Sequence, residues 1–263
     1  MVDMNEIVGS HDLFLITLDT LRYDVARDLA AAGRTPNLTA LLPAGGWEKR
    51  HSPGSFTYAS HAAFFAGFLP TPASSGDHER LFALRFDGST STSPRTVVLD
   101  GPDIVSGLRA RGYHTACIGG VGFFNKKNPL GRVFPGLFDE SHWSPSLGVT
   151  DPRSTENQVA LACEVLARTE GRVFLFINIS ALHQPNRIYL HGATEDTLAS
   201  HGAALSYVDR CLPPLVQALR ARGPAFGVVC SDHGTAYGED GYSGHRLAHS
   251  VVWDVPYAEL LLA

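Results

Sequence analysis

The run Ala225-Phe226-Gly227-Val228-Val229-Cys230 contains no charged or hydrogen-bonding side chain apart from its terminal thiol and shows no period-two alternation. A strand with one face in water alternates apolar with polar residues; a strand covered on both faces does not. This segment therefore reads as a buried strand of a parallel sheet. Further strand-like runs recur at residues 13–18, 96–99, 114–119, 172–180 and 257–262. Helical spacing fills the intervals. Residues 102–111 carry Ile104 and Leu108 and stop at Gly112, and residues 154–169 carry Val159, Leu161, Ala162, Val165 and Leu166 and stop at Gly171. Residues 195–211 are broken by Pro213-Pro214, and residues 215–222 start a new helix with proline in its first turn. Alternating strands and helices imply an α/β fold: a three-layer αβα sandwich around a mostly parallel central sheet.

The 263 residues suffice for one substantial core, and the last strand-like run ends near the carboxyl terminus, so a single domain over 1–263 is expected. A net charge of -5 with no basic block argues against a nucleic-acid surface. The first residues, Met1-Val2-Asp3-Met4-Asn5-Glu6, lack the basic start and apolar stretch of a secretory signal, and no run has the length of a membrane span. The cysteines (Cys117, Cys163, Cys211, Cys230) are scattered without a C-x-x-C pair, which fits reduced core thiols and a cytoplasmic protein.

The chemistry gathers at strand ends. Ser231-Asp232-His233-Gly234 closes the 225–230 strand, and Asp19-Thr20 closes the 13–18 strand. In open α/β sheets the carboxyl ends of the strands face the ligand crevice. Two carboxylates and an imidazole delivered there suit a divalent metal and metal-assisted ester cleavage. Asp19 taken alone also fits a helix N-cap. Asp232-His233 fits a cap less well, because a cap has no use for the imidazole. His245 follows Asp232 by 13 residues across Gly234, Gly238, Gly241 and Gly244, a stretch able to fold back and bring His245 to the pair. His249 reads as a surface residue. The segment 54–67 enters a helix at about Thr57. A hydroxyl at a helix N-terminus sits among free N–H groups, and a nearby dication stabilises its alkoxide. A plain N-cap is the competing reading of Thr57. Two segments read as loops: 74–94, rich in Gly, Ser, Thr and Asp, and 119–143. The second carries Phe123, Phe124, Phe134 and Phe138, either as an apolar lid or as buried aromatics that pin the loop.

Together these motifs resemble the alkaline phosphatase superfamily in its sulfatase-like branch. The resemblance rests on Asp19 in Asp-Thr-Leu-Arg-Tyr-Asp, on Thr35-Pro36-Asn37-Leu38, and on the nucleophile segment from Thr57 to Gly67. It continues with Ser-Asp-His-Gly, Gly244-His245 and Val255-Pro256, in order, over residues 12–262. It implies an alkaline phosphatase-like fold with Asp19, Thr57, Asp232, His233 and His245 as metal ligands and Thr57 as nucleophile. His183, in the segment ending Ala181-Leu182-His183-Gln184-Pro185, matches a family histidine. With His245 it would hold the substrate oxyanion, protonate the leaving group or bind a second metal. His61 matches a position that supports the nucleophile.

Three departures bear on function. Thr57 excludes the formylglycine of true sulfatases, which needs Cys or Ser. Ala181 stands where a second-metal Asp is expected, with Asn178 as a partial substitute. The large C-terminal subdomain of sulfatases is missing, which leaves the site open or shielded by the Phe-rich loop or another subunit. The resemblance implies a metal-dependent hydrolase of small phosphate, phosphonate or sulfate esters through a Thr57 intermediate. The alternatives are a phospho-group transferase and a degenerate, non-catalytic binding protein. Membrane-bound phosphoethanolamine transferases share the catalytic pattern but carry transmembrane segments. The mixed Asp/His set favours zinc or manganese over calcium or magnesium. No nucleic-acid or membrane partner is expected; the oligomeric state is left open, with a homo-oligomer or partner subunit as one option.

Overall fold

In the computed structural model, seven strands form the central sheet: β1 (Asp12–Leu18), β2 (Glu48–His51), β3 (His114–Ile118), β4 (Glu140–His142), β5 (Val173–Ile179), β6 (Ala225–Cys230) and β7 (Asp254–Leu262). The structure describes residues 2–67 and 103–263, together with a small strand pair, Phe82–Ala83 with Val97–Val98. Val97–Val98 of the 96–99 run thus pairs apart from the main sheet rather than within it. The remainder of the 74–94 segment falls outside the described residues.

Across the sheet the order is β2-β7-β6-β1-β5-β3-β4. β1 pairs in parallel with β5 and β6, and β3 pairs in parallel with β5 and β4. β7 runs antiparallel to β6, and β2 antiparallel to β7. The sheet is thus mostly parallel, with its antiparallel strands together at one edge. β2 and β4 were not apparent as apolar runs. β2 is Glu-Lys-Arg-His, exposed throughout, an edge strand whose charges discourage further pairing.

The buried runs behave as their composition requires. Every residue of β5 is buried, and alternate residues feed opposite faces. Phe14, Ile16 and Leu18 join Leu175 and Ile177 on one face. Four helices cover it: α1 (Tyr23–Ala31), α4 (Ser154–Arg168), α5 (Leu198–Cys211) and α6 (Pro213–Arg222). Leu13, Phe174 and Phe176 face the other side, under α2 (Thr57–Ala66) and α3 (Ile104–Ala110). Each Leu, Ile or Phe fully buried this way contributes about 1.5–3 kcal/mol, which offsets the cost of the polar groups enclosed above the strand ends. Among the described residues no helix is long and apolar enough to cross a membrane.

Register aligns the chemistry. Thr17 pairs with Cys230 on one side and with Asn178 on the other. Asp19 and Asp232, each two residues further on, therefore emerge at the same level. β1 lies between β6 and β5, where the chain path reverses direction across the sheet, the place where open α/β sheets bind ligands.

Gly227 makes β1 and β6 pack closely. A Cβ there would come within 2.3 Å of the Phe14 ring. Gly227→Ala is expected to destabilise the protein by about 1–3 kcal/mol through overpacking. The check is a thermal melt, in which the variant should fall several degrees below the parent.

Candidate active site

The turn after β1 is bent sharply. Thr20 has φ 66°, a left-handed conformation that costs a β-branched residue about 1–3 kcal/mol. Its N–H donates to Asp232 Oδ1 (3.2 Å) and its hydroxyl to the Leu182 carbonyl (3.1 Å). The strained residue thus joins the ends of β1 and β6. α1 begins only at Tyr23, with Arg22 at the N-cap position and no side-chain cap, so Asp19 does not cap that helix. The carboxylate turns inward instead. Its Oδ2 accepts from Asn178 Nδ2 (3.0 Å) and faces the Thr57 hydroxyl (3.4 Å).

Thr57 is likewise not a cap. Phe56 holds the N-cap position of α2 without a side-chain bond, and Thr57 is the first helical residue. Its Oγ1 lies 3.3 Å from His233 Nε2 as well as 3.4 Å from Asp19. Thr57 is 3% exposed, and Asp19, Asp232 and His233 are completely buried.

The tautomer of His233 follows from its neighbours. Nδ1 faces the Gly234 carbonyl at 2.8 Å, and a carbonyl only accepts. Nδ1 therefore carries the hydrogen and Nε2 presents a lone pair to the site, the usual arrangement of a metal-ligating imidazole. Gly234 itself has no room for a side chain, since a Cβ would meet the Val251 carbonyl oxygen at 2.0 Å.

Asp232 Oδ1 is occupied by the N–H groups of Thr20 (3.2 Å) and His233 (3.0 Å). Asp232 Oδ2 and Asp19 Oδ1 have no hydrogen-bond partner among the described residues although both are buried. A ligand atom from each of Asp19, Asp232 and His233 lies within 4.8 Å of the others, and this is the only such cluster among the described residues. Two orphaned carboxylate oxygens facing an imidazole lone pair fit a divalent cation. Without one, burial pushes Asp232 up to about 7. Burial, and then the charge of Asp232, push Asp19 up to about 6.

His245 stands beside this cluster, its ring 4.6 Å from that of His233, so the glycine-rich loop does fold back. The His183 ring is 5.8 Å from His245. His183 Nδ1 donates to the Gln184 carbonyl (2.6 Å), leaving Nε2 without a hydrogen bond among the described residues. Burial and the neighbouring imidazoles His233 and His183 push His245 down to about 3. His61 lies under the site, with Nδ1 against the Thr57 carbonyl at 2.8 Å. His249 caps the short helix Ser250–Trp253 and bonds Asp240 (3.1 Å), away from the centre.

One expectation is corrected. Asn178 is no substitute ligand: its Oδ1 accepts from the Val121 N–H (3.0 Å), and its Nδ2 donates to Asp19. Of the two readings of the Phe-rich segment, buried aromatics that pin the loop are the one the structure shows. Phe124, Phe134 and Phe138 are buried against Phe65 and Phe176, and only Phe123, beside Phe56 and Tyr58, is half-exposed.

Sequence reasoning also missed the braces around the site. Arg22, 3% exposed, forms a pair of bonds to Asp24 and an ion pair to Glu239. This ties the turn after β1 to the loop that carries His245. Ser52 Oγ bonds the Asp232 carbonyl and the Gly54 carbonyl (2.9 Å), which anchors the loop leading to Thr57. The Arg-x-Asp spacing carried a signal for Arg22; Ser52 had none.

The profile of the Sulfatase family matches residues 11–258. The chain belongs to the Sulfatase family. No curated protein matches the sequence. Among solved structures, this Sulfatase-family chain is similar to the zinc complex of the C-terminal periplasmic domain of EptC from Escherichia coli. That match has a TM-score of 0.67 at 14% identity and covers 96% of this chain and 74% of that one. The soluble domain of lipooligosaccharide phosphoethanolamine transferase A from Neisseria meningitidis gives a TM-score of 0.65 at 18% identity, covering 97% and 78%. An alkaline phosphatase superfamily protein from Vibrio parahaemolyticus gives 0.60 at 17%, covering 96% and 60%. The fold is that of the alkaline phosphatase superfamily.

Asp19 and Asp232 bind their protons more tightly in the folded than in the unfolded chain. Their contribution to metal-free stability is therefore full below the ordinary value of 3.8 and is lost as pH rises through about 6 and about 7. Asp232→Asn should raise the metal-free melting temperature at pH 8 relative to the parent. Zinc at a hundredfold excess over Kd should add about 2.7 kcal/mol, roughly 5–10 °C, to the parent and nothing to the variant. Melts at pH 5 and pH 8, with and without zinc, check both effects.

Proposed function

We propose that this chain is a metal-dependent enzyme of phosphate, phosphonate or sulfate esters in which Thr57 is the nucleophile. The observation that carries the reading is the pair of orphaned buried oxygens, Asp19 Oδ1 and Asp232 Oδ2, beside a threonine hydroxyl at a helix N-terminus. Asp19, Asp232 and His233 would hold the cation, with Thr57 and His245 at its edge; zinc and manganese suit that donor set. The cation supplies positive charge that favours the threonine alkoxide and polarises the ester.

The remaining chemistry belongs to the chain. The Thr57 hydroxyl gives up its proton to Asp19 Oδ2, the carboxylate oxygen it faces, in the step that forms the new bond from Oγ1 to phosphorus or sulfur. The bond to the leaving oxygen breaks in line. His183, carrying a proton on Nε2 as well as on Nδ1 when it acts, gives the Nε2 proton to that oxygen, while neutral His245 orients the ester. The first-turn N–H groups of α2 face the oxygens that gain charge. A water or an alcohol then attacks the covalent intermediate and restores the Thr57 hydroxyl.

Hydrolysis is the reading with water as acceptor. Transfer to an alcohol is a second reading of equal standing, supported by the similarity to a protein named as a phosphoethanolamine transferase. The four free cysteines support a reducing, cytoplasmic setting. Incubation with p-nitrophenyl phosphate, bis-p-nitrophenyl phosphate, p-nitrophenyl sulfate and a phenylphosphonate ester, each with zinc or manganese, tests the proposal. The parent should turn over at least one ester, and Thr57→Ala should lose at least about a thousandfold in kcat while keeping its melting temperature. Added alcohols, with product analysis, separate transfer from hydrolysis. A Thr57→Ala variant with the parent rate would rule out the assigned nucleophile.

A further inference from the structure

Beneath the site lies a second set of buried groups whose hydrogen-bond directions are fixed. The Val121 N–H donates to Asn178 Oδ1 (3.0 Å), which turns Asn178 Nδ2 toward the centre. One hydrogen of that amide reaches Asp19 Oδ2 (3.0 Å) and the other Thr17 Oγ1 (3.2 Å). The Thr17 hydroxyl, accepting there, spends its own hydrogen on His61 Nε2 (3.0 Å). His61 Nδ1 then donates to the Thr57 carbonyl (2.8 Å). A backbone N–H at one end can only donate, and a carbonyl at the other can only accept, so the polarity of every bond between them is determined.

We infer that Asn178, Thr17 and His61 form a directional hydrogen-bond chain whose task is to position Asp19 and the nucleophile Thr57 relative to one another. The chain branches at Asn178. One arm occupies Asp19 Oδ2 and so reserves Oδ1 for the cation. The other arm crosses from β5 through β1 to α2 and holds the backbone of Thr57.

His61 Nδ1 also lies 3.7 Å from Asp232 Oδ2, beyond hydrogen-bond distance, so the Thr57 carbonyl is its bonded partner. Thr17, His61 and Asn178 are completely buried. The rings of Phe64, Phe65, Phe124, Phe134 and Phe176 surround His61 at centroid distances of 5.3 to 6.1 Å. In such a medium, aligned hydrogen bonds reinforce one another, and a missing one leaves its partner unsatisfied. None of the three residues touches the reacting atoms in this account; they are positioning residues. The inference rests on the proposed role of Thr57, so its test includes a readout that does not need turnover.

The variants are Thr17→Val, which keeps the shape and removes the hydroxyl, and Thr17→Ser, which keeps the hydroxyl. On a p-nitrophenyl ester turned over by the parent, Thr17→Val should lose about 10–100-fold in kcat with KM within about twofold, the range typical of residues that orient a metal ligand. Thr17→Ser should restore kcat to within about threefold of the parent. Nitrogen-15 NMR of the zinc-loaded protein with labelled histidine gives the second readout. His61 should be protonated at Nδ1 and bare at Nε2, and the Nε2 resonance should move downfield in Thr17→Val and not in Thr17→Ser.

The opposite tautomer, an unmoved Nε2 resonance, or an unchanged kcat in Thr17→Val would each overturn the inference. If the parent turns over no ester while the NMR result holds, the proposed function fails and the hydrogen-bond chain stands. If turnover is found with the opposite tautomer, the chain fails and the function stands.

Discussion

Two carboxylates that face each other out of water are the constraint around which this molecule is arranged. Asp19 and Asp232 are completely buried, and each keeps one oxygen without a hydrogen-bond partner among the described residues. Enclosing an unpaired carboxylate costs several kcal/mol, and enclosing two side by side costs more because each disfavours the charge of the other. The loss is tolerable where a dication occupies the space between them, and the imidazole lone pair of His233 points to the same place. The strain at Thr20, the buried Arg22 ion pairs and the short loop anchored by Ser52 all surround this point. A fold that needed only stability would have filled the position with apolar side chains.

The sheet supplies the means. Parallel pairing of β1 with both β5 and β6 sets Thr17, Asn178 and Cys230 in one row, and the groups one or two residues later form the floor of the site. Helix α2 then enters from the other layer with Thr57 at its first position, so that the hydroxyl meets the carboxylate rather than capping its own helix. Strand register places the acids, and helix packing places the Thr57 hydroxyl.

Much of this was legible in the sequence, for physical reasons that differ from residue to residue. β1, β5 and β6 were evident because strands buried on both faces must be apolar throughout, and α4 was evident from its spacing and its glycine stop. Asp19 and Asp232-His233 stood out because polar groups abruptly end apolar runs. β2 and β4 were not legible: short polar edge strands are held by pairing partners far along the chain, as β2 is by β7. The antiparallel direction of β7 also depends on that edge. Asn178 was seen but assigned the wrong task, since nothing local reveals that the Val121 N–H takes its oxygen. The aromatic cluster of the 119–143 segment was read as either lid or core, and only the packing of Phe124, Phe134 and Phe138 against Phe176 decides it. Contacts between residues distant in sequence were the part that composition and periodicity leave open.

The central claim is that one cation joins residues from β1 and β6. Anomalous diffraction at the zinc edge, from crystals of the full chain grown with zinc, tests it most directly. The account predicts a strong peak about 2.0–2.2 Å from Asp19 Oδ1, Asp232 Oδ2 and His233 Nε2. A site with no peak, or zinc bound only by other residues while these three stay apart from it, would contradict the account.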